Sequence, residues 1–412
     1  MEEWKEYKLG ELITLNSGGT PDKNNKSYWD GDIPWISAKF MYDDYLYSSE
    51  LKISQDGLTS GSRLAPKGSI LLLTRGSGLF NRIPVCYTMR DLAYNQDVKC
   101  IESKNKELVS TEFLFYWLMG NKDSISAILE TTGIGAGKID TNRLKNVRIS
   151  LPPNEYQQIL IGFAESIMHK IEVNRRINDN LEQQAQALFK SWFVDFEPFK
   201  DQPFVDSELG MIPQGWRVCR ADEVFDINIG KTPPRKEPEW FTKNTSDNIW
   251  VSIADMGSCG MFVSESSEYL TNEAINRFNI LMVDEGSVLL SFKLTVGRVA
   301  IADTRLTTNE AIARFQLPQS YYREFLYLYL KQYKYGNLGS TSSIATAVNS
   351  KTIKGMKLIT PPEDVISCFS KHTKPLFDKI KVLLQESRRL AELRDTLLPK
   401  LMSGELKVND IH

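Results

Sequence analysis

The chain has 412 residues, of which 42% are hydrophobic and 25% charged, with a formal net charge of −2. This is the composition of an ordinary globular protein with room for two or three domains. It excludes a membrane span or a signal peptide at the charged start MEEWKEYKLGE, and five scattered cysteines with three histidines make no disulfide framework or metal site.

In chain order, Trp4 precedes a Gly18-Gly19-Thr20-Pro21 turn and an aromatic segment, Tyr28-Trp29 to Ile33-Pro34-Trp35-Ile36-Ser37. A strand opened by a turn follows at Gly68-Ser69-Ile70-Leu71-Leu72, then Asn95-Gln96, then a short amphipathic helix at Glu112-Phe113-Leu114. Pro152-Pro153 stop the preceding strand. From Tyr156 to Phe193 an unbroken helical stretch carries Ile167, Ile171, Asn174, Asn178, Leu181, Ala185, Leu188 and Trp192, the four-three rhythm of a coiled-coil seam. Two asparagines in such a seam fix register at a cost in stability. Residues 197–212 read as a linker. The text then repeats: Trp216, Gly230-Lys231-Thr232-Pro233, Trp240-Phe241 to Ile249-Trp250-Val251-Ser252, Gly286-Ser287-Val288-Leu289-Leu290, Asn309-Glu310, Glu324-Phe325-Leu326 and Pro361-Pro362. A second seam, Leu376, Ile380, Leu383, Ser387, Leu390, Arg394, Leu397 and Leu401, lies 209 positions after the first.

This is a domain-plus-helix unit written twice. The expected fold is mixed α/β (α+β): two similar strand-rich globular domains joined by two long antiparallel coiled-coil helices, a duplication about a pseudo-twofold axis. The expected boundaries are 1–153, the central helix 154–196, the linker 197–212, 213–362, the C-terminal helix 363–406 and a tail, 407–412.

Neither glycine turn has the trailing Gly-Lys-Ser/Thr of a nucleotide-binding loop. Thr20, Lys23 and Lys26 near the first, and Lys231, Arg235 and Lys236 near the second, suit approach to a DNA phosphate; a purely structural turn is the competing reading. At the end of each half stands a basic cluster, Lys138, Arg143, Lys145 and Arg148 in one and Lys351, Lys354 and Lys357 in the other, beside the loops TTGIGAG and GSTSSIATA. Phosphate contact explains such clusters, and so does a lysine-guarded strand edge. Arg75 in LTRGSG and Lys293 with Arg298 in SFKLTVGR sit where a strand meets a loop and could reach guanine. The halves are near neutral, with 19 basic and 19 acidic side chains in 1–150 and 17 and 16 in 207–360, so DNA contact must come from such local patches. Off the seams, Phe163, Met168, Ile177, Phe189, Phe193, Phe377, Val382, Leu384, Leu393 and Leu398 are more apolar surface than a two-stranded seam needs. They mark a partner surface or packing against the chain's own halves, the partner being the expectation. No catalytic or cofactor-binding motif is present.

Four texts, SGGTPDKNNKSYWDGDIPWIS, LEQQAQALFKSWFVDFEPF, SELGMIPQGW and LRDTLLPKLMSGEL, resemble, in family order, the specificity subunit of type I restriction-modification systems. After the first proline pair Asn154-Glu155-Tyr156-Gln157 departs from the family's usual Leu-x-Glu-Gln, and EDVISCFSKH after the second departs further. The resemblance implies two target recognition domains, each reading one half of a split double-stranded DNA target, with helices that set the spacer and bind two methylation subunits. It also implies separate motor-nuclease restriction subunits, with S-adenosylmethionine, ATP and Mg confined to those partners. The chain itself would then be non-catalytic, cofactor-free and cytoplasmic. The rival readings are a coiled-coil adaptor without a DNA role and a stand-alone DNA methyltransferase or nuclease.

Overall fold

The computed structural model describes residues 4–133, 135–338 and 348–408. The chain divides into two compact units, Met1–Ile171 with Arg388–His412, and Glu172–Ser387. Each long helix therefore contributes to both.

The globular part of the first unit contains a five-stranded sheet in the order Ile13–Ser17, Val98–Ser103, Ile70–Leu73, Val85–Thr88, Tyr45–Leu46. The second unit repeats it with Asp226–Ile229, Ile312–Gln316, Val288–Ser291, Val299–Ala302 and Phe262–Val263. In both, the last two strands are parallel and the rest antiparallel. The central strands Ile70–Leu73 and Val288–Ser291 are buried along their whole length, because both faces are covered. Each half also has a four-stranded sheet built around one parallel pair, Trp35 beside Ala93 in the first and Trp250 beside Thr307 in the second. Gly68 and Gly286 both take φ of +86°, a left-handed turn that opens the central strand in each half and that glycine adopts without strain. An antiparallel ribbon then closes each half, Lys5–Lys8 on Arg148–Leu151 and Arg217–Arg220 on Lys357–Thr360. That ribbon delivers the chain to the proline pair from which the long helix starts.

The helices run from Asn154 to Phe193 and from Glu363 to Ser403. Buried Gln157 fixes the start of the first by donating to the carbonyls of Pro152 and Leu108, each at 3.0 Å. In the second unit they pair antiparallel: Asn174 donates to Glu386 at 2.8 Å and to Ser387 at 3.3 Å, while Trp192 meets Phe369 at 5.6 Å between ring centres. In the first unit Arg394 Nη1 lies 3.2 Å from Met168 Sδ and the Val408 amide donates to Tyr156 Oη. Asn174 and Asn178 are both buried, and the Oδ1 of each has no hydrogen-bond partner among the described residues. An unpartnered buried acceptor costs about 1–3 kcal/mol, which suits a register device better than a stabilising one.

The excess apolar residues of the helices correct the partner-surface expectation. Met168 and Leu398 lie in the first unit's core; Phe189, Phe193 and Phe377 lie in the second's. Phe163 and Leu384 are half-buried against those same cores. Ile177, Val382 and Leu393 alone of the set are exposed. The buried stripe therefore drifts off the seam near the helix ends, from Ala185 to Phe189 and Phe193, because the globular half is the larger neighbour there. Residues 197–212 are likewise folded into place: Phe199 and Ile212 are core residues, and Phe204–Val205 pairs with Ile212–Pro213. Phe193→Ala should lower stability by about 3–5 kcal/mol, since its ring touches Trp216, Phe325 and Phe369. Ile177→Ala should stay within about 0.5 kcal/mol. Urea unfolding of the two variants checks this, and equal losses would contradict it.

Candidate nucleic-acid interface

The glycine turns are held against the strand-to-loop corner of each half by the same bonds. The Gly19 amide donates to Tyr94 O and the Lys231 amide to Thr308 O, both at 2.9 Å. Trp35 Nε1 donates to Gly19 O at 3.1 Å, and Trp250 Nε1 to Lys231 O at 3.0 Å. The approach is so close that a Cβ on Gly18 would stand 2.1 Å from Tyr94 O, and one on Gly230 would stand 2.1 Å from Asn309 O. Only glycine permits it. The third residue of each turn is thereby placed on the next corner residue: Thr20 Oγ1 donates to Gln96 Oε1 at 2.7 Å, and Thr232 Oγ1 to Glu310 Oε2.

A cation flanks each corner. The Thr74 amide donates to Asp97 O at 2.8 Å and the Phe292 amide to Ala311 O at 2.9 Å, which sets Arg75 and Lys293, the next residues, beside Gln96 and Glu310 respectively. In the first half Arg75 stands directly across the strand pair from Lys138. Like charges so placed repel. Lys99 faces Ser17 on the neighbouring strand and donates to its hydroxyl. Burial, and then the charge of Arg75, hold the Lys99 ammonium below the usual lysine range. Arg75 is thus flanked by Lys138 across the strand pair and by Lys99, with Glu130 across from Lys138 on its other side and Asp97 near Lys99, and a bound anion would favour this group of cations. Sequence reasoning missed Lys99, whose only signal is a lone cation in the alternating strand Val98–Ser103.

The other expected residues divide. Lys23 and Lys26 are exposed beside the first turn, and Lys236 is exposed beside the second. Lys231 reaches back to the carbonyls of Phe278 and Asn279, at 3.1 and 3.0 Å. Arg235 pairs with Glu268 at 2.8 Å and lies over the rings of Phe241 and Trp250. Arg298 donates to Ile253 O at 2.5 Å and fills the space beside Gly257. These three are engaged in the fold. Arg143 pairs with Glu130 at 3.2 Å, Arg148 with Glu6 at 3.0 Å, and Lys357 with Glu208. Arg143 and Lys145 belong to the short helix Thr141–Asn146, and Lys351 and Lys354 to Ser350–Lys354, rather than to a strand edge. Asp140 and Asn349 cap these helices, and the amides of Arg143 and Asn142 hold the Asp140 carboxyl below its usual range. The loop GSTSSIATA, residues 339–347, and Ile134 of TTGIGAG lie outside the described residues. One residue is notable beyond these: Leu294, next to Lys293, is 99% exposed at φ +60°. A leucine held in the left-handed region and in solvent has no packing role and suits contact with a base step or a thymine methyl.

Among the described residues no three His, Cys, Asp or Glu side chains could hold a metal, and no helix is long and apolar enough to cross a membrane. The model of the type I restriction modification DNA specificity domain matches residues 1–183 and 213–366. The chain belongs to this family. It is similar to the type I restriction enzyme MjaIX specificity subunit of Methanocaldococcus jannaschii, 30% identical over 431 residues that cover 100% of this chain and 95% of the relative. The HindI specificity subunit of Haemophilus influenzae is 26% identical over 98% of this chain and all of the relative. Among solved structures, the S subunit of the type I system of M. genitalium has a TM-score of 0.48 at 14% identity, covering 97% of this chain and 96% of the other. A DNA specificity role is therefore favoured over the adaptor and the stand-alone methyltransferase.

Arg75→Glu with Lys138→Glu, and separately Lys293→Glu, should weaken DNA binding by the assembled complex. Each should also flatten the dependence of log K on log salt, by roughly 1 for every phosphate that is no longer neutralised. Arg235→Ala should leave that slope unchanged and lower thermal stability. Anisotropy titrations at several salt concentrations check this; an unchanged slope in the first two would assign those cations to the fold.

Proposed function

We propose that the two globular halves each read one half of a split DNA target, and that the paired helices set the unread spacer and carry two methylation subunits. The observation behind this reading is the duplicated corner, Thr20–Gln96 beside Arg75 and Thr232–Glu310 beside Lys293, on matching sheets. Two copies of one reading device in a single chain suit a target in two parts. The chain is then a non-catalytic, cytoplasmic subunit. Transfer of a methyl group from S-adenosylmethionine, and ATP- and Mg-dependent cleavage, belong to the methylation and motor-nuclease subunits it assembles with.

The exposed apolar residues left on the helices, Ile177, Val382 and Leu393, support partner binding there. The helices' length supports the spacer role. At about 1.5 Å per residue, the 40 residues of Asn154–Phe193 extend roughly 60 Å.

The pairing of Asn174 with Ser387 makes insertion points after Ile171 and after Arg389 level with each other. A heptad inserted at both keeps the seam in phase and lengthens each helix by about 10 Å, or roughly three base pairs. The preferred spacer should grow by about one to three base pairs while both half-site sequences stay the same. Methylome sequencing of cells carrying the variant reports both. An assembled, methylating variant that keeps the original spacer would show that the helices are not the ruler.

A further inference from the structure

Gln96 and Glu310 occupy one position of the duplicated fold, and their chemistry differs. Each side chain stands at the strand-to-loop corner, and each is steadied at one oxygen by a threonine from the glycine turn. A salt link or a buried network would explain such a residue structurally, yet the remaining polar atoms, Gln96 Nε2 and Glu310 Oε1, have no hydrogen-bond partner among the described residues. The steadying bond also leaves each group its recognition capacity. Gln96 Oε1 keeps a second lone pair and Nε2 both hydrogens, so the amide can accept from and donate to the same base edge. Glu310 is acceptor-only when ionised. Glu310 is exposed at its corner, and against polyanionic DNA an acid is repelled by phosphate unless it meets a donor.

We propose that Gln96 and Glu310 are base-reading residues, Gln96 of an adenine in one half-site and Glu310 of a cytosine in the other. Adenine offers N7 as acceptor and the N6 amino group as donor, the complement of an amide; cytosine offers the N4 donor that a carboxylate accepts. The threonines are positioning residues that limit the side chains to the rotamer facing the groove. Arg75 and Lys293 supply the neighbouring phosphate or guanine contact. Of the two half-sites, the first thus includes an A·T pair and the second a C·G pair at the equivalent place. The inference rests on the DNA-reading role proposed above.

The test uses the intact complex with its methylation subunits and selects bound duplexes from a randomised library. The reciprocal, nearly isosteric variants Gln96→Glu and Glu310→Gln each alter one side chain. Gln96→Glu should lose the original A·T pair by roughly ten- to hundred-fold and gain C·G at that position alone, with the other half-site unchanged. Glu310→Gln should do the converse in the second half-site. Gln96→Ala should relax the same single position without creating a new preference, which separates reading from folding. Retention of every wild-type base preference by all three variants would overturn the proposal and make the threonine bonds loop staples. A wild-type complex that selects no bipartite sequence would overturn the DNA-reading role itself, and the inference with it.

Discussion

The structure depends on the burial of helix side chains inside the globular halves. Phe189 and Phe193 do not decorate the outside of a free coiled coil; they meet Phe325, Tyr329 and Phe369 in the second unit's core. Met168, Leu398, Leu401 and Met402 do the same in the first. Each globular half is thus welded to a segment of both helices by several aromatic or aliphatic side chains, each contributing about 1.5–3 kcal/mol of burial. Ion pairs add orientation. Arg394 joins Asp44 at 3.1 Å in the first unit, and Lys381 joins Asp303 and Glu285, both at 2.8 Å, in the second. A reading surface rigidly attached to a helix can be placed by that helix.

The same economy governs the corner where the groups proposed to face DNA meet. Gly18 and Gly230 allow backbone to lie against backbone, the indoles of Trp35 and Trp250 hold the turns from beneath, and the threonines then have one place to go. The two halves differ in the side chains held at this corner. Arg75 becomes Lys293 and Gln96 becomes Glu310, while the bonds that position them are repeated almost unchanged. Cys100 becomes Arg314, which is buried and donates to the carbonyls of Leu281 and Ile229. Burial lowers the Arg314 pKa, and the nearby Asp226 carboxylate opposes that shift.

Much of this is legible in the residues. The duplication, the glycine turns, the proline-stopped strands and the long helices follow from spacing and side-chain type alone. The drift of the buried stripe does not, because a heptad pattern records the helix partner and says nothing of a sheet packing from the side. On the heptad alone, Phe189 and Phe193 look like a partner surface. For Lys231, Arg235 and Arg298 the sequence shows charge near a loop; the carbonyls, the glutamate and the aromatic rings that hold them are brought up only by the fold. Lys99 and Leu294 are hidden for the opposite reason. One is a single cation in a strand and the other a lone apolar residue, and only register and exposure give them meaning.

The central claim is that each half carries its own reading surface. It is tested most directly by replacing residues 1–153 with the matching segment of a relative and sequencing the methylome of cells that carry the hybrid with its partner subunits. The account predicts that one half of the methylated motif changes to that of the donor, while the other half and the spacer remain. A motif that changes in both halves, or in neither while methylation continues, would contradict it.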